Sequence, residues 1–156
     1  MSNRYAEKTT VTSETSRGEI ERILSRYGAT SFMYAWQEQR AMIAFQMEGR
    51  QIRFNLPMPD KNEHRFKYSP TRGLERSQQA QMESWEQACR QAWRALALVI
   101  KAKLEAVEAG ITVFEDEFLA HIQLPNGTSV GDWMRPQLEG AYASGNMPPL
   151  LPGPRE

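Results

Sequence analysis

The sequence predicts an α+β domain in which a three-stranded antiparallel meander packs against one long amphipathic helix. Residues 32–56 contain three short strand-like runs. The first is rich in aromatic residues, the second places every other residue on one side, and the third alternates apolar and polar side chains. Residues 81–109 then repeat apolar side chains at the 3.6-residue period of a helix. A helix of that length extends about 40 Å, enough to cross a three-stranded sheet. The helix and the sheet therefore bury each other in two layers.

The three strands are predicted at 32–36, 41–47 and 51–56. The second and third strands place their apolar residues on one side, where we expect the core: Ala41, Ile43, Phe45, Met47, Ile52, Phe54 and Leu56. The segments between the strands are short, so consecutive strands must run antiparallel. Pro57 and Pro59 end the third strand, because proline cannot donate to a ladder.

The long helix carries the apolar stripe that we expect to form the other half of the core. Its members are Trp85, Cys89, Ala92, Trp93, Leu96, Val99, Ile100, Leu104 and Val107. Trp93 is open to a second interpretation as an interface anchor, since tryptophan is common at protein contacts. Cys89 is the only cysteine, which fits a reducing compartment, and its place on the stripe predicts a small buried side chain.

The segment before the first strand divides into an arm and a short helix. Residues 1–15 are polar and rich in serine and threonine, and we expect them to form a flexible arm. Ser16 and Glu19 have the spacing of a capping box, which predicts a helix at about 17–27. Gly28 is placed to end that helix.

One or two shorter helices are predicted after the long helix, at 114–122 and at about 130–143. Pro136 falls within the second, where it either occupies a first turn or breaks the helix. The single α+β domain is thus expected to span residues 16–145.

The proline-rich residues 146–156 predict an extended tail. This tail either docks on a partner or folds back on its own domain through Leu150 and Leu151. Residues 57–79 form a second irregular segment, a long polar loop, and loops of that length are often functional or mobile.

The composition is that of an ordinary globular protein. The 156 residues suffice for one domain, with 40% hydrophobic and 24% charged residues. The formal net charge is zero, so the protein as a whole has no long-range electrostatic attraction to DNA or to an anionic membrane. No apolar run reaches the roughly 18 residues of a membrane span, and residues 1–12 lack a signal-peptide core, so we expect no membrane association and a cytoplasmic protein.

Charge is nevertheless segregated along the chain. Residues 61–103 carry nine lysines and arginines against four glutamates, a net charge of +5. Residues 104–140 carry one arginine against seven acidic residues, a net charge of −6. Either the two segments pair internally, or the basic segment presents a surface to phosphate groups.

The second alternative predicts a nucleic-acid site on the third strand and the 57–79 loop. Cations and aromatic rings alternate in the loop, and the third strand is expected to add two arginines on the outer side of the sheet. Proteins that bind single-stranded nucleic acid typically combine cations that follow the phosphate backbone with aromatic rings on which the bases stack. The predicted contacts are Arg50, Arg53, Arg65, Lys67, Tyr68 and Arg72, with Tyr34 or Trp36 as the stacking residue.

A catalytic site has weaker support. Glu117 and His121 are four residues apart and would share a helix face, where they could form an acid–base pair or bind a metal together with Glu115 and Asp116. The alternative is a histidine paired to the carboxylate one turn earlier. His64 lies in the polar loop and is expected to be solvated. The chain contains none of the common nucleotide, zinc or hydrolase motifs, so we assign no catalytic residue, metal or cofactor.

Several segments resemble small proteins of phages and prophages. These are residues 85–90, 99–110 and 118–122 and the end Met147-Pro148-Pro149-Leu150-Leu151-Pro152. The resemblance covers most of residues 16–152 and implies a mobile-element origin, and hence the host cytoplasm, without implying a particular function.

Three functions follow in order of preference. The first is a non-enzymatic accessory protein that binds single-stranded or structured nucleic acid. The second is a protein-interaction module, such as an inhibitor of a host defence factor, for which the tryptophans, the methionines and the tail argue. The third is a small enzyme built on Glu117 and His121. The sequence leaves the oligomeric state open.

Overall fold

The computed structural model describes residues 3–37 and 39–147, with side chains described from residue 14 onward. The predicted α+β fold is confirmed. The elements are α1 (Asn3–Arg26), β1 (Ser31–Gln37), β2 (Arg40–Met47), β3 (Arg50–Pro57), α2 (His64–Lys67), α3 (Gln78–Glu108), α4 (Phe114–Glu117), a 3-10 turn (Leu119–His121) and α5 (Val130–Ser144).

The sheet is an antiparallel meander in the order β1-β2-β3. The turn between β2 and β3 consists of Glu48 and Gly49, which both have positive φ angles of 50° and 73°. Two such residues give the turn a twist that matches the strands it joins. The register places Ile43 opposite Phe54 and Phe45 opposite Ile52, so the predicted apolar positions share one face.

The core lies between this face of the sheet and the two long helices, α1 and α3. Ile20 and Leu24 of α1 and Ile100 of α3 are fully buried. The Oγ of Ser77 accepts a hydrogen bond of 3.2 Å from the amide of Ala80, which starts α3 close to the predicted position. Trp93 is 1% exposed, so it is a core residue and the interpretation as an interface anchor is wrong.

Helix α1 starts much earlier than predicted. It runs from Asn3 to Arg26, through the segment for which a flexible arm was expected, and Ser16 lies inside the helix instead of capping it. Packing of Ile20 and Leu24 fixes a helical turn. Once a turn is fixed, each further residue adds one hydrogen bond without a new nucleation cost, so weak local propensity does not end the helix.

The predicted helix 114–122 is also divided. Phe114 and Phe118 are buried as expected, but α4 ends at Glu117 and a 3-10 turn follows. The reason is strand pairing: Ile122 forms an antiparallel bridge with Ile52, and the amide of Gln123 donates to the carbonyl of Gln51 at 2.8 Å. The extended conformation of Ile122 is incompatible with a helix.

Two further predictions require correction. Val99 was expected in the core but is 44% exposed, because it lies at the margin of the α3 stripe. Pro136 neither starts nor breaks α5, since the helix continues through it from Val130 to Ser144. No described helix is long and apolar enough to cross a membrane. The predicted tail is described only to Met147, and its residues 148–156 lie outside the described part.

The two-layer core makes a testable prediction for Trp93. Trp93→Ala should lower the free energy of unfolding by about 3–5 kcal/mol, since it leaves a large cavity beside Tyr34. Trp36→Ala is the matched control, because Trp36 is 66% exposed, and it should change stability by at most about 0.5 kcal/mol. Urea denaturation measures both. Equal losses for the two variants would contradict the assigned core.

Candidate nucleic-acid interface

The eight predicted contacts do not form one surface. Side chains of neighbouring strand positions point to opposite faces of a sheet. Arg50 is two residues from Ile52 and four from Phe54, so its side chain is on the core-facing side of β3. Arg53 lies between those two residues in the sequence, so its side chain is on the outer side. The two arginines therefore cannot share the outer side. The expectation that they do is wrong.

Arg50 forms an ion pair inside the molecule. Its Nη2 lies 3.2 Å from Oε1 of Glu115, and both side chains are about half exposed. The pair links the start of β3 to α4. For this residue the internal-pairing alternative holds, and Arg50 has less charge to offer a ligand.

Arg53 lies on the outer face of β3 and contacts the turn before α5. Its Nη2 donates a hydrogen bond of 3.1 Å to the carbonyl of Gly127. Its Nε is buried and has no partner among the described residues. The side chain is only partly exposed and holds the turn against the sheet.

The two predicted stacking residues lie on the core-facing side of β1 and differ in accessibility. The ring of Tyr34 lies 5.5 Å from that of Trp93, and the guanidinium of Arg17 sits 4.1 Å from its centre. Burial raises the pKa of Tyr34. These contacts occupy Tyr34, whereas Trp36 at the end of the strand is 66% exposed. Trp36 alone of the pair has a face available for stacking.

The four remaining contacts lie together on residues 61–76, which we call the basic arm. The arm is an ordered structure and not a plain loop. Phe66 in α2 is 2% exposed and anchors the arm to the domain. Beyond α2 the chain turns back on itself: the amide of Arg76 donates to the carbonyl of Lys67 at 2.7 Å, and Tyr68 bridges Glu75.

The basic arm carries five lysines and arginines against two glutamates, a net charge of +3. Arg65 is partly neutralised, since its Nε lies 2.6 Å from Oε2 of Glu63. No ion pair involves Lys67, Arg72 or Arg76 among the side chains that the structure describes. The ring of Tyr68 lies 4.6 Å from that of His64, and both are at the surface.

A shallow cleft of about 230 Å³ separates α2 from the first half of α3. It is lined by Arg65, Phe66, Ser84, Gln87, Ala88 and Gln91. The side chains of Gln87 and Gln91 are exposed, so their amides are available to a polar ligand. The sequence prediction missed these residues, although their spacing of three and four places them on one helix face.

Glu117 and His121 do not contact each other, so they form neither the predicted acid–base or metal-binding pair nor the alternative pair of a histidine with the carboxylate one turn earlier. Oε1 of Glu117 accepts a hydrogen bond of 3.2 Å from Nζ of Lys103. The ring of His121 stacks on Phe54 at 4.0 Å. Because α4 ends at Glu117, the two side chains are not on consecutive turns of one helix. Within the described residues, no cluster of three or more histidine, cysteine or acidic side chains could hold a metal.

Comparisons with known proteins add no assignment: no family model, curated protein or solved structure matches the chain.

The environment of His121 predicts a pH-dependent stability. Burial, with a contribution from Lys103, lowers the pKa of His121. Below its ordinary value of about 6.5 the unfolded chain therefore binds a proton that the folded protein does not. The free energy of unfolding should decrease as the pH falls through this range, until His121 becomes protonated in the folded state.

Urea denaturation at several pH values between about 7.5 and 5 tests this expectation. His121→Gln should lose less stability than the unsubstituted protein over that range. His64→Gln, which removes the exposed histidine, is the control variant. The same pH dependence in His121→Gln and the unsubstituted protein would show that His121 is not the titrating group.

Cys89 should be chemically inert in the folded protein. Its side chain is 1% exposed, and burial, reinforced by Glu86, raises its pKa to about 11. Because the thiolate is the reactive form, a thiol reagent such as Ellman's reagent should modify Cys89 only after unfolding. Rapid modification at neutral pH without denaturant would contradict the burial.

Proposed function

We propose that the protein is a non-enzymatic accessory protein of a phage or related mobile element, and that it binds single-stranded or structured nucleic acid through the basic arm. The observation that carries the proposal is the cluster of cations on this arm. Lys67, Arg72 and Arg76 are ordered there without an acidic partner in the described structure, whereas Arg50 and Arg53 are engaged elsewhere.

Phosphate attraction supplies most of the affinity in this proposal. Cations that neutralise phosphates release counterions, which gives binding with little sequence preference and a strong dependence on salt. Arg72 is exposed near the tip of the arm, and Lys67 and Arg76 lie on its two backbone-paired sides. A flexible strand can follow such a protruding set of charges more easily than a rigid duplex.

Aromatic stacking adds a second contribution. Tyr68 lies on the arm itself, and Trp36 lies at the nearby end of the sheet. The turn after Trp36 borders the start of the arm, because Nε2 of Gln39 donates to Asp60 at 3.1 Å and the amide of Met58 donates to the carbonyl of Gln39 at 3.0 Å. Bases stacked on such rings contribute about 1–3 kcal/mol each in single-strand binders.

A pair of double variants tests the proposal. Lys67→Gln/Arg72→Gln should weaken the binding of a labelled oligothymidine, measured by fluorescence anisotropy. It should also reduce the slope of log affinity against log salt by about 1.4, since each lost phosphate contact on a single strand contributes about 0.7.

The matched control is Arg22→Gln/Arg26→Gln, which removes the same charge from exposed positions on α1, outside the arm and the turn after Trp36. It should retain the original affinity and slope. Absence of binding in the micromolar range at low salt, or equal weakening by both double variants, would exclude a specific role for the basic arm.

Helix α5 favours a second candidate function, a protein-interaction module that inhibits a host factor. This helix packs on the 3-10 turn through its first turn, where a side chain at Gly131 would meet Ala120. None of its residues is fully buried, and Leu138 and Tyr142 are 50% and 88% exposed one turn apart. Such anchors suit an apolar groove on a partner. A stoichiometric, nuclease-resistant complex that Leu138→Glu disrupts would favour this function.

A further inference from the structure

The outward face of α3 has α2 beside it in its first half and no neighbour among the described residues in its second. Phe66 and Arg65 of α2 lie over the face formed by Ser84, Gln87 and Gln91. The same face continues as Ala95, Leu98, Val99 and Ala102, all of them exposed. Leu98 and Val99 are 59% and 44% exposed, so large apolar side chains face water where the helix has no neighbour in the described structure.

Two further large apolar side chains are exposed just after the helix. Ile111 and Val113, which follow α3, are 80% and 60% exposed. Exposed large apolar side chains on a protein of balanced charge indicate an interaction surface. The order of side chains along α3 indicates which partner binds there.

The order of large and small side chains along this face of α3 is complementary to that of a second α3 helix running in the opposite direction. If two copies of α3 pack antiparallel with their midpoint near Ile100, Leu98 and Val99 of one copy lie opposite Ala102 of the other. Ala95 then lies at the level of Glu105 and Ala106 of the other copy. Large side chains therefore meet small ones, which lets the two helices approach closely.

The charges beside the apolar face have the same reversed complementarity. Arg94 and Glu105 are exposed along one flank of α3. Antiparallel packing about the same midpoint brings Arg94 of each copy beside Glu105 of the other, because the same flanks of two antiparallel helices meet. The internal contact of Glu105 is weak, since Nζ of Lys101 lies 4.0 Å away and both side chains are exposed.

We propose that the protein is a homodimer in which two α3 helices pack antiparallel through Leu98, Val99 and Ala102, with reciprocal Arg94–Glu105 ion pairs. A two-fold axis near Ile100 relates the copies, so the same surface patch serves both sides of the interface. The helices overlap over about residues 91–109, a length of about 28 Å.

This dimer does not rest on nucleic-acid binding. The overlap starts at Gln91, beside the part of α3 that faces Arg65 and Phe66, and it uses no residue of the basic arm itself. Sedimentation velocity of the full chain after nuclease treatment therefore tests the dimer even if the arm binds nothing. The unsubstituted protein should sediment at twice the chain mass of 17.9 kDa, and Leu98→Glu should sediment as a monomer.

Charge reversal tests the antiparallel register. Arg94→Glu and Glu105→Arg should each weaken the dimer, because each places like charges across the interface, and Arg94→Glu/Glu105→Arg should restore it. Arg22→Glu, an exposed arginine on α1, is the matched control and should remain a dimer. Circular dichroism verifies that each variant is folded.

Two results would overturn the proposal. The first is a monomer at every concentration for the unsubstituted protein, which would assign the apolar face to a different partner. The second is a dimer that persists in folded Leu98→Glu, or single reversals that the double reversal does not rescue, which would place the interface or its register elsewhere.

Discussion

The alternation of side chains along β2 and β3 is the constraint on which the rest of the structure depends. It gives the sheet one apolar face, from Ala41 to Leu56, and only that face can bind α1 and α3. The same alternation separates Arg50, which turns toward α4, from Arg53, which holds the turn before α5. The alternation of side chains between the two faces of a strand thus determines both core and surface. Because Arg50 and Arg53 are on opposite faces of β3, no arrangement of loops can bring them to one site.

Much of the fold could be predicted because its signals are local. The Glu48-Gly49 turn and the stripe through Trp93 and Ile100 each require only neighbouring residues. The length of α1 and the division of the predicted helix 114–122 could not be predicted, because they depend on contacts with distant residues such as Ile52. For the candidate site, strand alternation already separates Arg50 from Arg53 in the sequence, whereas the pairing with Glu115 depends on how distant segments pack.

The segregated charge of the chain serves more than one purpose in the folded protein. Part of it is paired across segments, as in Arg50–Glu115 and in Lys103–Glu117, which is largely shielded from water. Another part stays on the basic arm, and a third part lies along the exposed flank of α3. Internal pairing is therefore present in these two ion pairs, whereas the basic arm keeps a net positive charge.

The two edges of the sheet are treated differently. Ile122 and Gln123 pair with the outer edge of β3 for a short stretch, and that edge is partly closed. In the described residues β1 pairs only with β2, and the segment Ser31–Gln37 contains no charged side chain. Natural proteins usually protect such an edge with charges, because its unpaired amides and carbonyls accept another strand. Growth of the sheet, by a captured peptide or by a misassembled chain, is therefore favoured at the β1 edge.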